Sequence, residues 1–126
     1  MATDGNLLRE GGNLIAGVDL SAAQFKAVKM STATDRCVIL ANTGGEAIYG
    51  ILQNKPTLGL AADVGFLGVS KAAIGATVTV GQRLMTDTNA KLIPATATNH
   101  AIARAIEGGA TDTIISVEVI DLGTIA

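Results

Sequence analysis

His100 is the one histidine of the chain, and it stands in Thr98-Asn99-His100 with no second soft ligand nearby. Metal sites gather several His, Cys, Asp or Glu ligands, so this histidine reads as a loop residue rather than a ligand or a base. Ser21, Ser31, Ser70 and Ser116 offer hydroxyls for a Ser-His-Asp arrangement on paper. The nearest approach to a nucleophile elbow, Gly68-Val69-Ser70-Lys71-Ala72, lacks the second glycine of G-x-S-x-G. Gly44-Gly45 and Gly108-Gly109 fit neither the dinucleotide fingerprint nor the P-loop, and tight turns account for them better. Asp87-Thr88-Asn89 opens like a calcium loop, but Lys91 takes the next ligand position and no closing glutamate follows. Asp and Asn at these positions are what a turn requires. The acidic residues are scattered singly. Cys37, the sole cysteine, excludes an intramolecular disulfide, and within Cys37-Val38-Ile39-Leu40 it reads as a small buried apolar residue. The expectation is therefore no catalytic residue, no metal or cofactor site, no cofactor and no enzymatic activity.

The elements that would carry any site are short strands. Ser21–Met30 holds mixed spacing that fits either a helix capped by Ser21 or a strand and is assigned as a strand; Cys37–Ala41 is a buried-type strand ended by Asn42-Thr43-Gly44-Gly45. Ala47–Gln53 follows and stops at Asn54-Lys55-Pro56, where proline pushes Lys55 out of the helical region. Asp63–Val69 is the next strand. Thr77-Val78-Thr79-Val80 alternates polar and apolar and predicts a half-buried strand. Gly81-Gln82 leads into Arg83–Thr86, Asp87–Ala90 is a turn, and Lys91-Leu92-Ile93 precedes Pro94. Ala101–Ile106 and Ile114–Ile120 form a hairpin through Gly108–Asp112. Many short strands with turn residues between them predict an all-β fold, a small single-domain β-barrel or sandwich over residues 14–126, preceded by an extended N-terminal arm over residues 1–13. Ala47–Leu52 and Ala101–Ile106 also resemble each other. Each leads through a glycine-containing loop to an Asp and an apolar strand, which fits either two similar hairpins or a chance likeness of Ala/Ile-rich strands.

Composition says what the surface is for. The chain of 126 residues is 48% hydrophobic and 16% charged, with mean hydropathy +0.43, whereas ordinary soluble domains carry roughly 25% charged residues. The longest apolar runs are a handful of residues, far short of the ~20 that span a bilayer. The polar N-terminus, Met1–Asn6, does not read as a secretory signal. No membrane partner is expected. Net charge is −2 with no basic run, so phosphate neutralisation and nucleic-acid binding are disfavoured. A surface this poor in charge belongs against a copy of itself or a larger partner.

One ordered set of residues goes further. Tyr49-Gly50-Ile51-Leu52-Gln53-Asn54-Lys55-Pro56 is followed by Asp63-Val64, Gly68-Val69-Ser70-Lys71, Gly75-Ala76-Thr77-Val78, Gly81-Gln82-Arg83-Leu84 and Lys91-Leu92, then by Ala103–Glu107 and Ile114–Val117. This order, over roughly residues 12–120, resembles the capsid decoration (cement) proteins of tailed bacteriophages, a family of small head proteins formerly of unknown function. Two departures stand out: Arg104 replaces a small residue, and Asn89-Ala90 replaces the glycine before Lys91-Leu92. The resemblance implies a virion protein on the capsid exterior, made in the host cytoplasm. It would bind the major capsid protein, self-associate as a homotrimer in preference to a dimer, and stabilise the assembled shell by binding it. The candidate capsid or subunit contacts are Leu7, Leu8, Leu14 and Ile15 of the arm and Gln53, Asn54, Lys55 and Pro56 of the following loop. Other readings are a head-completion or tail subunit, or a small-molecule-binding β-barrel.

Overall fold

The structure is a computed structural model that describes Arg9, Glu10 and residues 13–125. Among these residues there is no helix. Eleven strands run in chain order: β1 (Arg9–Glu10), β2 (Leu14–Ala16), β3 (Ala27–Met30), β4 (Cys37–Leu40), β5 (Gly50–Leu52), β6 (Ala61–Ala62), β7 (Val64–Ala73), β8 (Arg83–Thr86), β9 (Leu92–Pro94), β10 (His100–Ala105) and β11 (Ile114–Thr124). They follow the order β6-β2-β4-β3-β5-β7-β11-β10-β8-β9, with β1 paired to β7. The expected all-β fold is what the chain adopts. β2 runs parallel to β4, and the other strand pairs are antiparallel.

This order reads as one unit used twice. In the first unit a hairpin, β3–β4, lies beside the pair β5–β7. In the second a hairpin, β8–β9, lies beside β10–β11, and the two units join where β7 meets β11. The likeness extends to single hydrogen bonds. Phe25 N donates to Leu52 O at 2.7 Å and Leu52 N to Lys26 O at 3.0 Å; Gly81 N donates to Ala105 O at 2.8 Å and Ala105 N to Gln82 O at 2.9 Å. Positive φ recurs at the same places, Phe25 (67°) with Gly81 (87°) and Arg36 (59°) with Ala90 (64°). Even the parallel β2–β4 contact has its echo in a parallel bridge between Ile74 and Leu92. The hairpin likeness seen in the sequence is thus topological, but one residue out of step, since Leu52 corresponds to Ala105 rather than to Ile106. Ala90 also explains the departure from glycine: it holds a left-handed turn that glycine adopts freely, while its methyl is fully buried in the core.

Burial follows from this arrangement. β5 reads as three buried residues in a row because both of its faces are covered. Ile51 enters the larger core with Leu84, Ile102, Val117 and Val119 of the second unit. Leu52 enters a smaller core with Leu14, Leu20, Val38 and Val64 of the first. The larger core draws side chains from both half-sheets, so the halves pack on one another as a small sandwich. Aliphatic residues fill both, with Phe25 packed at the margin of the larger one and the Lys71 ammonium 5.6 Å from its ring centre.

Several expected boundaries move. Thr77–Val80 is not a strand. Val78 makes a single bridge to Gly109, and the chain then turns at once, with Thr79 N donating to Gln82 Oε1 at 2.8 Å. Two alternations of polarity are too few to separate a strand from one buried valine before a turn. The segment from Ser21 becomes a strand only at Ala27, because Ala23 N and Lys26 N close successive turns onto Leu20 O and Ala23 O. The strand expected at Ala47–Gln53 shortens to β5, and the one at Asp63–Val69 lengthens to Ala73, where it serves both half-sheets.

Candidate functional site

The loop Gln53–Pro56 is built mainly of side chains that face inward. Gln53 Nε2 donates to Ile51 O at 3.0 Å and to Ser70 Oγ at 2.8 Å, and Ser70, itself fully buried, donates to Lys71 O at 2.8 Å. A buried hydroxyl needs such partners, since leaving it unsatisfied costs about 1–3 kcal/mol. Asn54 spans the next turn, donating to Ala61 O and accepting from Asp63 N, both at 3.0 Å. Pro56 is buried and its carbonyl accepts from Leu20 N at 2.9 Å. Leu14 is in the smaller core. Of the candidate contacts, Ile15 and Lys55 face solvent; Leu7 and Leu8 lie outside the described residues.

The same loop, carried a few residues further, presents what the sequence reading passed over. Leu58 is 68% exposed and Leu60 58%. The loop runs along the end of β2, with Gly59 N donating to Ala16 O at 3.0 Å and Ala16 N to Leu60 O at 2.9 Å. Ile15 within β2 and Val18 just after it are exposed as well, so four aliphatic side chains lie along the β2–β6 edge of the first unit. Elsewhere, the second unit leaves Val80 and Ile106 exposed. The signal in the sequence was Thr57-Leu58-Gly59-Leu60, two leucines flanking a glycine in a loop where polar turn residues are the rule.

A cleft of about 330 Å³, open solvent included, lies where the half-sheets part beyond the last β7–β11 pair, Gly68 with Val119. Tyr49, Phe66, Ile102, Ile120, His100 and Asp121 line it. The rings of Tyr49 and Phe66 meet there at 5.8 Å and 57°. Small-ligand pockets run from ~300 to 1,000 Å³ and bury most of their ligand; the space this cleft itself encloses is about 60 Å³, far below that range. Among the described residues no three of His, Cys, Asp and Glu gather to hold a metal ion.

Two carboxylates shift by fastening backbone. Glu107 Oε1 accepts from Ser116 N at 2.7 Å across the β10–β11 hairpin, and that bond holds its carboxyl below the ordinary 4.5. Asp19 is lowered in the same way by Ser21 N at 3.0 Å. A depressed folded pKa gives stability that is present above the ordinary value and lost as pH falls through the folded one. Melting curves from pH 6 to 3 should therefore show wild type losing more stability below about 4.5 than Glu107→Gln, which has no charge to lose there. Parallel curves would remove Glu107 from the account.

The fold is shared. The chain is similar to the N base of the head fiber gp8.5 in bacteriophage phi29, with TM-score 0.70 and 14% identity over 90% of this chain and 94% of that one. At that identity the likeness is one of fold. No protein-family model matches the chain, and no curated protein matches it either.

Proposed function

We propose that the chain is a non-enzymatic structural protein of a bacteriophage head, a decoration protein that binds the outer face of the assembled shell, contacts the major capsid protein and works as a homotrimer. The observation that carries the reading is the end-to-end likeness of fold to a phage head protein, joined to the aliphatic β2–β6 edge that a charge-poor chain leaves in solvent. A rigid β body with few long charged side chains at its contacts loses little rotamer entropy on docking. A protein that binds only the mature lattice stabilises that lattice by mass action. Modest contacts repeated over a symmetric shell sum to a large effect.

The contacts belong to Ile15, Val18, Leu58 and Leu60, with Lys55 at the rim and Leu7 and Leu8 of the arm. Gln53, Asn54, Leu14 and Pro56 support that edge from within. Changing Leu7 and Leu8 both to Asp should abolish occupancy of heads without altering the melting temperature. Unchanged occupancy in microscopy of mixed particles would take the arm out of the interface. The matched neighbour is the base of a head fiber, which favours a second reading in which this body anchors a projecting fiber. Density on heads separates the two: a low knob for a decoration protein, a knob bearing a stalk for a fiber base.

A further inference from the structure

Three side chains outside the β2–β6 edge form a reactive set. Lys29, in the middle of β3, points its Nζ at Asn42 Oδ1, 2.7 Å away, and at Glu46 Oε1, 2.8 Å away. Strand pairing with Ile39 fixes the lysine's backbone. The turn that carries Asn42 is held by the other oxygen of the same glutamate, since Glu46 Oε2 accepts from Asn42 N at 2.9 Å and Thr43 N at 2.8 Å. Thr43 Oγ1 donates to Asn42 Oδ1 at 3.3 Å, a second donor on the carboxamide oxygen. Lys29 and Glu46 are largely covered, at 23% and 19% side-chain exposure, and Lys29 shares an apolar hollow with Met30, Ile48 and Tyr49.

We infer that Lys29 and Asn42 are the two ends of an intramolecular isopeptide bond that the folded chain forms by itself, with Glu46 as the proton carrier. The Glu46 carboxylate takes a proton from the Lys29 ammonium. The freed Nζ lone pair attacks Asn42 Cγ, and the Thr43 hydroxyl that already donates to Oδ1 faces the oxygen on which negative charge develops. The bond from Cγ to Nδ2 then breaks as Glu46 returns its proton to the departing nitrogen; Nζ gives up its second proton through Glu46 to the ammonia, which leaves as ammonium. An ammonium and a carboxamide become a secondary amide and an ammonium ion; nothing is oxidised or reduced, and Glu46 is regenerated. Burial pushes the Glu46 carboxyl up, but the Lys29 bond and the Thr43 and Asn42 N–H groups outweigh it and hold it below its ordinary value. It therefore stands as the carboxylate that the first proton transfer needs. Holding the amine against its carbonyl turns a bimolecular condensation into a unimolecular one. The product ties β3 to the turn after β4, so this hairpin opens only when a covalent bond breaks.

The test is the intact mass of the purified full-length chain, followed by tandem mass spectrometry of its tryptic peptides. Expected are a mass one ammonia below that of the sequence, no cleavage after Lys29, and a branched peptide joining Lys29 to Asn42. Lys29→Arg and Glu46→Gln, checked for a wild-type circular dichroism spectrum, should both show the full mass. A folded wild type at full mass overturns the inference. So does an ammonia loss that survives in either variant, which would mean that Asn42 cyclises onto its own backbone.

Discussion

Under the proposed function, changing Leu58 and Leu60 together to Asp should strip the protein from phage heads while leaving its fold intact. Both side chains stand mostly in solvent in the single chain, so the substitution removes no core contact and leaves the melting temperature within about 2 °C, as surface changes cost within ~0.5 kcal/mol. In the assembly the same change buries two carboxylates against apolar surface. An interface anchor is worth about 2 kcal/mol or more, and two lost anchors weaken binding by more than ~100-fold. Sedimentation of head mixtures with each variant, beside a melting curve, reads both numbers. A drop in melting temperature with occupancy retained would mean that the edge belongs to the fold and not to a partner.

Gly50→Ala should do the reverse, strongly destabilising the fold with no change to the outer surface. Gly50 opens β5, and a Cβ placed there falls on the carbonyl oxygen of Gly65 and 2.8 Å from Val64 Cγ1. The obstacle is backbone of the paired strand β7, so no rotamer change relieves it and the two central strands must separate. Overpacking of this kind costs ~1–3 kcal/mol or more, a large part of the ~5–15 kcal/mol that holds a domain together. Gly59→Ala is the control. It has positive φ, 85°, but nothing within 4 Å of an added Cβ, so its loss should be confined to the roughly 1 kcal/mol cost of a left-handed residue. Urea unfolding of the two variants should rank them in that order; equal losses would show that the close approach at Gly50 is not what matters.

The sequence carried the fold where turn chemistry and aliphatic runs agreed. Cys37–Leu40 and His100–Ala105 came out within a residue, because each is a short apolar run closed by Asn or Gly. It misled where a pattern was too short to mean much, as at Thr77–Val80, and where one strand serves two half-sheets, as in the ten residues of β7. The duplication was legible only as a faint likeness. Equivalent positions need not share chemistry: Ile51 faces the core, while its counterpart Arg104 faces solvent, 3.7 Å from Glu118. The block Gly50–Pro56 was singled out, but its Gln and Asn point inward to hold the loop whose next residues, Leu58 and Leu60, are the exposed ones. Direction of side chains in a loop depends on hydrogen bonds between segments far apart in sequence, such as Asn54 with Ala61 and Gln53 with Ser70. The set Lys29, Asn42 and Glu46 was invisible for the same reason, since strand pairing alone brings β3 to the turn after β4.

Everything functional here turns on the aliphatic edge having a repeating shell as its partner. The proposed function is tested directly by adding the purified chain to mature heads of its proposed parent phage, heads made without the protein, and reconstructing the particles by electron microscopy. The account predicts new density at symmetry-related positions on the outer surface, fitted by this fold with Leu58 and Leu60 toward the shell. Bare heads, beside a chain that stays solitary at high concentration, would contradict it.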